Sequence, residues 1–180
     1  MPAGTARRQW LAALMALATA SALPLHAGAN ASRLLGDDAF ITLTVARSVA
    51  LGAGFGYRGQ EILATSSPLL AALVGVASRL VPGSDLADIA VWMGSLAWLA
   101  TGWIVFGARG ALRLGLWPAT AIGMTVLASG WTGYLGMEAH LFSLLLVATV
   151  VLAALHQPLA AGIVAGLCTL TRGEGVLILA

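Results

Sequence analysis

Two adjacent carboxylates, Asp37 and Asp38, are the residues of this chain best placed to do chemistry. They open the run DDAFITLTVARSVALGAGFGYRGQEILATSSPLL, its longest stretch without a membrane-spanning pattern. Carboxylates beside lipid are costly and tend to mark function. Two so close together can share a proton, and one can then serve as a base toward a hydroxyl group. The plainer reading is helix capping, for which one aspartate suffices. Three further groups are candidates for substrate contact. Glu138 lies in the short turn GMEAH, with His140 two residues on, and Glu61 lies in the loop after the acid pair. Each has an ordinary alternative: an exposed turn acid, an interfacial histidine, a loop acid. Arg172, in LTRGEG, sits deep in the last apolar run, where a guanidinium invites an anion such as a phosphate. The alternatives are an internal ion pair or snorkelling to the interface. Glu174, two positions on and on the opposite side of a helix, is expected to be a poor direct partner. No metal-ligand spacing and no serine or cysteine triad is present. The lone Cys168 lies in an apolar run and reads as packing.

The surroundings of these groups are apolar. The chain has 180 residues, of which 59% are hydrophobic and 9% charged, with a mean hydropathy of +0.93. A soluble domain carries about a quarter charged residues, so lipid is the expected solvent. All 9 basic residues are arginine, and the net charge of +2 forms no patch suited to nucleic acid. The elements that must position the candidates are helices. A span needs about 20 apolar residues, and the runs fall at about 9–28, 86–108, 116–133, 140–156 and 159–180. The expected fold is an all-α polytopic transmembrane helical bundle, a single module over 1–180. An outer loop over 29–85 carries juxtamembrane helices. Arg7-Arg8 before an apolar run also fits a signal peptide, but the later spans favour a retained helix. The chain stops at GVLILA inside an apolar run, as expected of the N-terminal portion of a larger membrane protein.

Arginine settles the expected sidedness through the positive-inside rule. Arg7 and Arg8 belong in the cytoplasm, and so do Arg109 and Arg113, which requires an even number of crossings between them. Trp10–Gly28 and Leu86–Ala108 supply two. Ser66–Pro82 is therefore expected to lie at the outer surface as an interfacial or re-entrant helix. Asp37, Asp38 and Glu138 then share one outer face. Asp85 and Asp88 lie on that side too, at the start of the next span. After the acid pair, AFITLTVARSVALG reads as an amphipathic helix with the pair at its N-cap. Its expected apolar face is Phe40, Ile41, Leu43, Val45, Val49 and Leu51. The glycines Gly52, Gly54 and Gly56 follow a helix rather than a strand, so they read as a tight loop and not as a phosphate cradle.

Four segments carry a resemblance: DDAFITLTVARSVALGAGFGY at Asp37–Tyr57, GQEILATSSPLL at Gly59–Leu70, GMEAHLF at Gly136–Phe142 and LAAGIVAGLCTLTRGEG at Leu159–Gly175. In this order they resemble the GT-C superfamily of integral membrane glycosyltransferases, and the opening DDAFI looks like its arabinofuranosyltransferase branch. Protein mannosyltransferases and the lipid-A aminoarabinose transferases share the general plan. The resemblance implies a multi-pass protein of the inner or plasma membrane with its site on the extracytoplasmic face. There a sugar would move from a polyprenyl-phosphate donor to a hydroxyl of a glycan, lipid or protein acceptor. It makes Asp37 or Asp38 the catalytic base, Glu138 a second acidic position and Arg172 a contact for the donor phosphate. No cofactor is required, although a divalent cation is compatible with the outer acids. Gly173 and Leu70 depart from the family pattern, which often has a proline and an aromatic there. Two other functions fit the same apolar composition: a transporter or flippase, and a non-catalytic membrane subunit. The acids lie in loops rather than at mid-membrane on broken helices, which favours an enzyme.

Overall fold

Pro24 decides how the first apolar helix runs. It has no N–H to give the carbonyl of Ala20, and the helix breaks there into α1 (Ala3–Ala20) and α2 (Ala22–Asn30). Ser21 at the joint bonds back to Leu17 O through its Oγ at 2.8 Å. The same oxygen accepts from Trp103 Nε1 at 2.9 Å, so a later helix holds the break in place. The structure, a computed structural model, describes residues 3–30, 35–56, 65–129 and 135–178. It continues with α3 (Asp37–Ala50), α4 (Pro68–Leu80), α5 (Leu86–Gly107), α6 (Leu116–Ser129), α7 (Ala139–Ala154) and α8 (Pro158–Thr171). Short 3-10 turns cover Ala108–Gly110 and Gly173–Ile178. Among the described residues there is no strand, and the architecture is all-α.

α5 is the hub, packing on α2, α3, α4, α6 and α7, while α3–α4 and α7–α8 pair as hairpins at its sides. Its packing uses small residues. At the α5–α6 crossing, a Cβ on Gly102 would sit 2.7 Å from Leu127 Cγ, and one on Gly123 would sit 3.0 Å from Gly102 O. Only glycine allows backbones this close, and such crossings are how helices associate where lipid removes the hydrophobic drive. Around α5 the interior divides in three. Leu43, Val45, Leu70 and Val74 fill the α3–α4 side. Leu17, Phe106 and Leu127 fill the α1–α6 side. Ala27, Val91, Trp98 and Leu135 lie between. The outside is apolar too: Met15 is 69% exposed and Leu159 80%.

Two helical stretches, Thr5–Asn30 of 26 residues and Leu86–Gly110 of 25, are long and apolar enough to cross a membrane. α4, α6, α7 and α8 are apolar but run 13 to 16 residues. At 1.5 Å per residue each covers roughly 20–24 Å, short of a core about 30 Å thick. The expected span at 159–180 is corrected most. Its helix stops at Thr171, Arg172 takes extended backbone with φ −149° and ψ 139°, and the chain folds back. Gly175 lies against the last turn of α8, where a Cβ would be 2.5 Å from Thr169 N and 2.7 Å from Cys168 O. The expected span at 116–133 is helical to Ser129, and its last residues lie outside the described set.

α3 differs from expectation in two ways. Its N-cap is Gly36, and Asp37 and Asp38 occupy the first turn with no side-chain cap hydrogen bond at the N-cap position. There they still favour the positive end of the helix dipole. Its buried face is Ala39, Thr42, Leu43, Val45 and Ala46, whereas Phe40, Ile41 and Leu51 are exposed. The core follows the 39, 42, 43, 46 spacing of one helical face. Ser66–Pro82, expected at the outer surface, contains α4, which buries Leu70, Ala71 and Val74 against its neighbours.

Candidate functional site

Gly136 builds the site. Its φ of +82° lies in the left-handed region, which glycine occupies without the clash a Cβ brings. That turn ends the approach from α6 and launches α7 with Glu138 at its N-cap position, whose carbonyl accepts from Phe142 N at 2.8 Å. A Cβ on Gly136 would strike Leu35 Cδ2. Leu35 lies two residues before Asp37, so one contact registers the start of α3 against the start of α7. Gly94 of α5 lets the turn approach closely: a Cβ there would be 3.4 Å from Leu135 Cδ2 and 3.5 Å from Gly136 N.

The result is a cavity of about 310 Å³ lined by Asp38, Ile41, Thr42, Thr65, Ser66, Met137 and Glu138. Asp38 and Thr42 are four apart, on one face of α3. The two carboxylates 100 positions apart in sequence thus share one space. Glu138 is 9% exposed. Thr42 Oγ1 and Thr65 Oγ1 are 3.3 Å apart, and Thr65 Oγ1 accepts from Ser67 N at 3.1 Å. Next to this, Arg172 reaches Glu138 Oε1 with Nη1 at 3.8 Å and Glu174 Oε1 with Nη2 at 3.1 Å. Its guanidinium carbon is 6.0 Å from the Phe142 ring. Beyond the end of α8, the hydrogen bond that Arg172 donates to Glu174 raises the Arg172 pKa above its ordinary value. Glu174 in turn is held below the usual carboxylate range, first by its own backbone N–H and then by Arg172.

Of the residues singled out from sequence, Asp38, Glu138 and Arg172 are brought together. Asp37 is not among the cavity's lining residues. His140 is turned elsewhere: its ring stacks on Trp98 with centroids 5.4 Å apart and planes 10° from parallel. Glu61 lies outside the described residues. The expectation that Glu174 would be a poor partner for Arg172 is overturned, because Arg172 has left the helix and the i, i+2 rule for helices does not govern it. Sequence reasoning missed the hydroxyls of Thr42, Thr65 and Ser66. Thr42 was legible at helical spacing from Asp38, whereas Thr65 and Ser66 reach the cavity only through the docking of α4 on α3.

Chemically, the cavity offers two carboxylates as proton acceptors, hydroxyls of both polarities, and a guanidinium at its edge. Among the described residues no group of three or more His, Cys, Asp or Glu is arranged to hold a metal ion. Comparison with family models, with curated proteins and with solved structures gives no match for this chain.

Proposed function

We propose that this protein is a membrane glycosyltransferase of the GT-C kind. In this reading it moves a sugar from a polyprenyl-phosphate donor to an acceptor hydroxyl at the extracytoplasmic face of the inner or plasma membrane. One observation supports it above the rest: Asp38 and Glu138, from distant segments, line a single sugar-sized cavity with Arg172 bonded at its rim. Acids are scarce in this chain, 7 in 180 residues, and a non-catalytic subunit has no need to gather them. Supporting the sidedness, the Arg109 guanidinium carbon lies 4.0 Å from the Trp10 ring. The first half of α1 and the end of α5 therefore lie together, as two crossings with cytoplasmic arginines would have it.

The step is an inverting transfer. Asp38 takes the proton of the acceptor hydroxyl, whose oxygen attacks the anomeric carbon. The bond from that carbon to the phosphate oxygen breaks, and its electron pair leaves with the phosphate. Arg172 then faces growing negative charge, an electrostatic contribution of the kind that dominates many active sites. Glu174 must yield to the phosphate for this. The pair is solvent-exposed, with side chains 40% and 62% accessible, and exposed pairs are held weakly against water and salt. Glu138, held by the same guanidinium, orients the acceptor.

The test replaces each aspartate singly by asparagine in the full-length protein and measures sugar transfer in membranes. Asp38→Asn should lose about 10²–10⁴-fold in turnover, the usual share of a general base. Asp37→Asn should stay within about tenfold of the parent, a margin of roughly 1.4 kcal/mol. Full activity in Asp38→Asn would discard the assignment.

A further inference from the structure

We infer that Thr42 and Thr65 form a hydrogen-bonding wall that selects a neutral polyol of one ring as the occupant of the cavity. This deepens the proposed reading of the same site and rests on it.

A count of protons leads there. The two hydroxyl oxygens are 3.3 Å apart, and Thr65 Oγ1 already accepts from Ser67 N at 3.1 Å. The pair owns two protons and uses one between them. If Thr42 donates to Thr65, the Thr65 oxygen has accepted twice and its own proton points elsewhere. If Thr65 donates, the Thr42 proton is left over. Either way one donor remains, whichever hydrogen placement holds. Both threonines are buried, at 6% and 8% exposure, and no further acceptor for that proton is found among the described residues. A buried donor without an acceptor is unfavourable, and both threonines line the cavity.

The other carboxylate-bearing walls have the opposite polarity. Asp38 and Glu138, as carboxylates, only accept. A group lying between them and the threonine pair must donate on one side and accept on the other. A hydroxyl does both. A phosphate would bring its negative charge against two carboxylates, and an ammonium only donates and leaves the threonine proton unmet. Ile41 and Met137 add apolar walls suited to the C–H face of a ring. The volume, about 310 Å³, is at the small end of ligand pockets, about 300–1,000 Å³. It suits one ring and not a chain of them.

The experiment uses the full chain in detergent micelles and ligand-observed saturation-transfer NMR. The probes are methyl α-D-mannopyranoside and methyl α-D-arabinofuranoside, with inorganic phosphate and tetramethylammonium for comparison. At least one glycoside should bind. Thr42→Val and Thr65→Val, near-isosteric but without the hydroxyl, should each weaken it by about tenfold, and Thr65→Ser should restore it, one tenfold step being 1.4 kcal/mol. Equal binding by the valine variants, absence of glycoside binding, or a preference for phosphate or tetramethylammonium would overturn the inference. Its fate separates from that of the transferase reading. Hydroxyl-dependent glycoside binding by a parent protein that transfers no sugar would leave the wall intact and remove the enzyme. Transfer that needs Asp38 but keeps its KM in both valine variants would do the reverse.

Discussion

Replacing Gly136 by alanine should loosen both ends of the site at once. Two contributions can be worked from the structure. The first is backbone: at φ +82° an L-residue meets its own carbonyl, at a cost of about 1–2 kcal/mol. The second is steric. The new Cβ would strike Leu35 Cδ2, a terminal methyl that moves by leaving its rotamer, for about 0.5–1.5 kcal/mol. Leu35 packs against both the α3–α4 cluster and the central one around Val91 and Trp98, so its displacement is not free. Together these make about 1.5–3.5 kcal/mol, mostly backbone. Unfolding of detergent-solubilised protein, followed by far-ultraviolet circular dichroism, measures the loss. The double variant Gly136→Ala/Leu35→Ala separates the two shares. It should be less destabilised than the sum of the singles by roughly the steric part, about 0.5–1.5 kcal/mol. Under the proposed function, sugar transfer should fall while the fold survives, because Glu138 rides on the turn that moves. A variant as stable and as active as the parent would refute the claim that this turn registers α3 against α7.

Two further substitutions probe the frame around the site. Ser67 is fully buried and its Oγ has no hydrogen-bond partner among the described residues. Ser67→Ala removes an unmet polar group and should raise stability by about 1 kcal/mol in the same unfolding assay; a loss of stability would mean the hydroxyl is bonded. Arg79 ties α4 to the C-terminal end of α3, donating from Nε to Ala50 O at 2.6 Å and from Nη2 to Val49 O at 2.8 Å. Arg79→Ala should destabilise by about 1 kcal/mol, and Arg79→Lys should recover only part, because an ammonium keeps the charge near the helix end but lacks the fork. Equal stability of the lysine and wild-type proteins would show that charge alone matters there.

How far the residues announce this structure depends on the range of the interaction that decides each feature. Helix locations were legible because they follow from local apolar runs bounded by Gly, Pro and Arg: α5 begins and ends within a residue of its expected limits. The break at Ser21 was equally local, since Pro24 has no N–H for the carbonyl four residues back, and so was the early end of α8, where Gly173 and Gly175 follow Arg172. A hydropathy count passes over both, because proline and glycine change hydrogen bonding far more than polarity. The candidate site was legible in part for a different reason. Charge is so sparse here that any carboxylate is conspicuous, so Asp38 and Glu138 could be singled out without knowledge of packing; that both line one cavity is what the structure adds. Which aspartate faces inward could not. It depends on a rotation of α3 set by Ala39, Leu43 and Ala46 meeting α4, and the bulkier Phe40 and Ile41 suggested a different face. Size does not mark the interior here: Phe40 and Ile41 stay exposed, and small residues make the close contacts, as Gly102 and Gly123 do at the α5–α6 crossing. The hydroxyls of Thr65 and Ser66 lie further still from anything local. They reach Asp38 only because α4 docks on α3, and it is that docking, rather than the acid pair alone, that turns two helix-start carboxylates into the lining of a cavity.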